Sequence, residues 1–139
     1  SGRLGNRMNR FSYLTIGRVL LGLYFLVPGL SKIADWNMHV ELMLRHSVPF
    51  TEPLLVVATM ANLGAGILLL INREVRFVAL GGAVYIILVN ALLHDFWNFS
   101  GMEGAHEMQN FVKNLAILAG MLVLASTAPK SALPVIRKL

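Results

Sequence analysis

The densest grouping of chemically capable side chains in this 139-residue chain lies between residues 90 and 114. Asn90 and His94 stand one helical turn apart, and Asp95-Phe96-Trp97-Asn98-Phe99 follows directly. Beyond it, His106, Asn110 and Lys113 share one helical face, while Glu103, Glu107, Asn110 and Asn114 share an adjoining one. Two chemistries suit such residues. Imidazole and carboxylate suit several divalent ions, with His94, His106 and Glu103 the candidates. No two histidines stand three or four apart, however, and no metal is assigned. A planar carbonyl ligand such as a quinone is the better match. His94, Asn90, Lys113 and Asn114 would bond its oxygens, with Trp97 and its aromatic neighbours as an apolar wall. The competing reading makes Phe96, Trp97 and Phe99 an interfacial aromatic belt and pairs His94 with a neighbouring helix.

A second set lies near the N-terminus. Arg18, Gly22, Phe25, Gly29 and Lys32 recur at intervals of four, three, four and three, so they share one helical face. The two glycines admit a neighbouring backbone, and Lys32 snorkels to an interface. Arg18 lies too deep for that and calls for a partner: Asn62, helix-end carbonyls or a lipid phosphate.

The elements that must position these residues follow from composition. Hydrophobic residues make up 56% of the chain and charged residues 14%, against about a quarter charged in soluble domains; mean hydropathy is +0.66. So apolar a chain cannot cover itself with polar groups in water, and the bilayer is its solvent. The absence of cysteine removes disulfides, thiolate nucleophiles, zinc–thiolate sites and CxxC redox pairs.

Apolar segments at about 11–33, 53–71, 75–95 and 106–128 each approach the roughly 20 residues that span hydrocarbon as a helix. The expected fold is all-α: an antiparallel four-helix integral membrane bundle, residues 8–139 forming one domain. Residues 1–7 (SGRLGNR) read as a vector remnant. The first segment, with Arg18 and Pro28 inside it and no small-residue cleavage site after it, does not read as a signal peptide. Thr51-Glu52-Pro53 reads as an N-cap and acidic first turn, and Asn72-Arg73-Glu74 as a tight turn. Residues 35–47 are too polar to span; Trp36, Val40, Met43 and Leu44 suggest a short interfacial helix, although their alternation also fits a strand.

Charge sets an expected orientation. Eight of the twelve basic residues fall at the N-terminus, the 72–74 turn and the C-terminus, and six of the seven acidic residues fall on the opposite side with all four histidines. The positive-inside rule then puts both termini in the cytoplasm. The net charge of +5 is thereby explained without nucleic acid.

The stretches GRVLLGLYFLVPGLSKI at 17–33, ANLGAGILLLI at 61–71, HDFWNF at 94–99 and EMQNFVKNLAILAGMLVL at 107–124 resemble, in order, the DoxX family of small bacterial inner-membrane proteins. One departure is that members commonly carry a glutamate near Asn62. The resemblance implies a four-helix membrane bundle; some relatives are subunits of thiosulfate:quinone oxidoreductase or of other membrane oxidoreductase complexes. The expected function is a membrane subunit or anchor that docks a redox protein, holds a quinone near the outer face and is capable of self-association. The alternative is a self-contained oxidoreductase with a bound cofactor.

Overall fold

The computed structural model describes residues 2–138, apart from the side chains of 6–8, 10 and 11. Those of Arg7 and Arg10, counted in the charge balance, therefore lie outside the description. Among the described residues there is no strand. The elements are α1 (Gly2–Ala34), α2 (Trp36–Arg45), α3 (Thr51–Leu70), α4 (Val75–Leu93), a 3₁₀ turn (Phe96–Asn98) and α5 (Gly101–Thr127). Four helical stretches are long and apolar enough to cross a membrane. The chain is thus an all-α bundle with four spans, and both termini lie on one side of it. The opposite side is called the distal face below.

Three boundaries depart from expectation. Helix α1 runs back to Gly2 rather than starting near Phe11, because no proline interrupts residues 2–10 and backbone bonding continues past the apolar run. Helix α5 starts at Gly101, five residues ahead of the expected 106, and Gly101 (φ +64) makes the reversal that begins it. Thr51 is the first residue of α3 and not its cap. Its hydroxyl turns back to donate to the Val48 carbonyl at 3.0 Å, and Phe50, in the left-handed region, precedes the helix.

Residues 36–45 are helical, which disposes of the strand alternative. Met43 packs with Val48 and Leu55, flanked by Trp36, Val40 and Leu93, so α2 lies across the distal ends of α3 and α4. Leu44, expected on that face, is 60% exposed. Leu44 follows Met43 by about 100° around the helix, which carries it past the contact stripe.

The tightest helix pairs are α1 with α3 and α4 with α5. Glycine sets the first seam. A Cβ on Gly66 would stand 2.7 Å from the Leu26 backbone nitrogen, one on Gly29 2.8 Å from Leu63 Cδ2, and one on Gly22 3.1 Å from Leu70 Cγ. Only hydrogen fits at Gly66, where backbone meets side-chain stem. The core of Phe25, Leu69, Ile86 and Met121 forms where the two pairs meet. Although α3 and α4 are joined by a four-residue connection (71–74), a groove of about 320 Å³ separates them, lined by Met60, Gly64, Leu68, Phe77, Gly81 and Tyr85. The turn has Asn72 and Glu74 in the left-handed region, and Glu74 accepts from Ser131 Oγ and the Ala132 amide, anchoring the C-terminal tail.

Gly66 and Gly64 therefore separate packing from propensity. Gly66→Ala should lower thermal stability in detergent by about 1–3 kcal/mol through overpacking. Gly64→Ala, whose Cβ meets nothing within 4 Å, should be neutral or stabilising by up to about 1 kcal/mol. Equal effects would show that the α1–α3 seam is not this close.

Candidate functional site at the distal face

Polar side chains inside the bundle are paired with one another. Tyr24 Oη on α1 donates to Asn114 Oδ1 on α5 at 2.8 Å; Asn114 Nδ2 donates to Asn90 Oδ1 on α4 at 3.0 Å; and Asn90 Nδ2 donates to the Phe111 carbonyl at 3.1 Å. Asn90 and Asn114 are both buried. This series joins three spans where lipid offers no other partner. The sequence places Asn90 and Asn114 together, and so does the structure. Lys113 does not join them: it is exposed, about 100° around α5 from Asn114.

Deeper in the bundle, Arg18 donates to the Leu69 carbonyl and, at 3.2 Å, to that of Leu70. Of its three expected partners the helix-end carbonyls are the ones present. These carbonyls close α3, so the guanidinium supplies a donor to the helix end, where Leu69 also receives the Asn72 amide, and meets the negative end of the helix dipole. Asn62 lies seven to eight residues up α3, about 10–12 Å away along the axis, out of reach of that contact. Tyr85 Oη donates to its Oδ1 at 2.8 Å instead.

Above the asparagines, the distal face collects a second group. His94 Nδ1 stands 2.7 Å from Glu107 Oε2. The other oxygen of Glu107 stands 3.8 Å from His46 Nε2, and His46 Nδ1 lies 2.5 Å from Asp95 Oδ1. Asn98 Nδ2 donates to Asp95 Oδ2 at 2.7 Å. Outside this row Arg45 forms a two-point bridge to Glu103, 2.7 Å from Nε to Oε1 and 2.6 Å from Nη2 to Oε2. The hydrogen bonds from Arg45 to Glu103, and then the charge of that carboxylate, push the Arg45 guanidinium above its ordinary value. Arg45 lies over the Phe99 ring, which in turn packs on His46. Phe96, Trp97 and Phe111 meet edge to face, with centroids 5.3–6.2 Å apart.

Of the metal candidates, His94 pairs with Glu107, Glu103 with Arg45, and His106 is exposed on α5. Among the described residues no cluster of three His, Asp or Glu is arranged to hold an ion. His46 is the residue that sequence reasoning missed; Asp95 and Glu107 stood in the sequence grouping without a role of their own. The accumulation of acids and histidines on one side was visible. That α2 returns His46 inward was not, because it depends on left-handed Ser47 and Phe50.

Four membrane-length helices with a polar row across one end define a small multi-pass membrane protein. The DoxX family model matches residues 13–95, more than half of the chain, and the chain belongs to the DoxX family. It is 27% identical to the inner membrane protein YphA of Escherichia coli K12 over 116 residues, covering 84% of this chain and 83% of that protein. With the inner membrane protein YqjF of the same organism it shares 32% identity over 115 residues, 82% of each. No solved structure matches the chain.

Asn114 is the middle of the interhelical series. Asn114→Ala strands the Tyr24 hydroxyl and the Asn90 carbonyl oxygen together, and should cost about 1–3 kcal/mol of stability in thermal or denaturant unfolding. Tyr24→Phe should cost less, since Asn114 keeps its bond to Asn90. The reverse order would mean that the series does not hold the spans together.

Proposed function

We propose that the chain is a membrane subunit or anchor of a redox complex in the bacterial inner membrane. Its termini face the cytoplasm, and its distal face holds a quinone-type ligand. The observation that carries this reading is the setting of His94. One ring nitrogen is held by Glu107, and the other has no protein partner among the described residues. With Glu107 ionised, Nδ1–H donates to it, and Nε2 offers a lone pair. That favours a hydroxyl-bearing ligand, the reduced quinol, over a carbonyl. Trp97 (56% exposed), three residues beyond His94 in the chain and packed beside Phe96 and Phe111, supplies a flat apolar surface. Asn90 and Asn114 hold α4 and α5 together beneath, while Lys113 lies outside. The ligand's electrons pass to a redox centre carried by the partner protein, and the chain contributes hydrogen-bonding and acid–base groups.

Family membership supports the membrane setting, and the basic residues of the terminal side support the orientation. The cysteine-free chain makes the orientation simple to check. In intact cells a membrane-impermeant maleimide should label Met102→Cys and miss Lys130→Cys; labelling of Lys130→Cys alone reverses the topology and takes the outward-facing site with it.

Ligand binding is tested with a short-tailed hydroquinone titrated into the purified chain in nanodiscs. Saturable binding is expected, weakened about fivefold to tenfold in His94→Ala, the size of one hydrogen bond. Absence of saturable binding, or equal binding by the variant, refutes the quinol site.

A further inference from the structure

We infer that Glu107, His46 and Asp95 form a proton relay behind His94, a role that rests on the reading of His94 as the acceptor of a ligand proton. The geometry is an alternating row: imidazole His94, carboxylate Glu107, imidazole His46, carboxylate Asp95. Its contacts are 2.7, 3.8 and 2.5 Å. Side-chain exposure falls from 22% at His94 to 13% at Glu107, then to 2% at His46 and 7% at Asp95. The row therefore leads from an open end to a buried one.

The row holds one carboxylate for each imidazole, yet its members are not closed off as two separate pairs. Here His46 has a carboxylate at each ring nitrogen, and Glu107 has an imidazole at each oxygen. Every inner member can accept a proton on one side and release one on the other.

The transfer balances with no other bond changed. As the ligand O–H breaks, Nε2–H forms on His94. The Nδ1–H of His94 then breaks as O–H forms on Glu107 Oε2. A rotation of that carboxyl closes the 3.8 Å gap and delivers the proton to His46 Nε2. The resulting imidazolium is held between Glu107 and Asp95, where two carboxylates favour its charge. The ligand's electrons leave separately, to the one-electron acceptor of the redox partner. Four neighbouring charged or titratable groups stand outside the row. Arg45 and Glu103 bridge each other on the exposed side, and Lys113 and His106 occupy exposed positions of α5.

Histidine ¹⁵N NMR of the full chain in nanodiscs, titrated with pH and without ligand, tests the relay. In the unaltered chain His94 and His46 should titrate as a coupled pair, departing from single-site curves. Asp95→Asn should lower the midpoint of His46, which it touches. It should also move the midpoint of His94, which it does not touch, by about half a pH unit or more. In Asp95→Asn combined with Glu107→Gln, the His94 response should shrink by more than half. Independent one-proton curves at both histidines of the unaltered chain overturn the relay without recourse to any variant. So does an unmoved His94 in Asp95→Asn, or an equal response with and without Glu107. Addition of the short-tailed hydroquinone reads the other proposal separately. An unchanged His94 Nε2 resonance removes the quinol site while leaving the ligand-free coupling to stand or fall by itself.

Discussion

A polar group in hydrocarbon has no water to turn to, and this constraint organises the bundle. Thr59 turns back to the Leu55 carbonyl of its own helix, and other interior hydrogen-bonding side chains reach across to another helix. Arg18 reaches the final carbonyls of α3, Tyr85 reaches Asn62, and Tyr24 reaches the asparagine pair that joins α4 to α5. No buried side-chain nitrogen or oxygen among the described residues lacks a partner. Apolar contact cannot provide this register, because lipid tails are as apolar as leucine and do not discriminate between one helix surface and another. The glycines bring the backbones close; the polar pairs decide which helices meet and at what height.

The same demand explains the architecture of the distal face. Helix α2 covers the ends of α3 and α4 with Met43 and its apolar neighbours. The chain then reverses through Ser47 and Phe50, both in a left-handed conformation unusual for residues with side chains. That reversal turns His46 inward against Asp95. A polar residue brought under a lid must be met by hydrogen-bonding partners, and the α4–α5 connection and α5 supply Asp95 and Glu107. Arg45, one residue earlier, stays at the surface and takes Glu103.

The four spans were legible because their signal is compositional: length and apolarity suffice, and neither depends on what packs against what. The pairing of Asn90 with Asn114 was legible too, since one connection brings the distal ends of α4 and α5 together. Lys113 was misplaced because it is adjacent in sequence to Asn114 and a hundred degrees away on the helix. The Arg18 contact was narrowed to three partners and no further, since a carbonyl leaves no trace in a residue pattern. His46 stayed hidden for a related reason. Its position depends on two backbone conformations that serine and phenylalanine do not advertise.

The Arg18 contact has a temporal side. Its acceptors lie 51 and 52 residues farther along the chain. A ribosome adding about 5–20 residues per second therefore leaves this cation without its carbonyls for roughly 3–10 seconds after it emerges. During that interval α1 cannot rest at its final depth with Arg18 in lipid at no cost. It must wait in the insertion machinery, or ride high with the cation at the headgroups, until the end of α3 arrives to receive it. The order of synthesis thus makes α1 enter ahead of α3 and settle only once α3 has arrived.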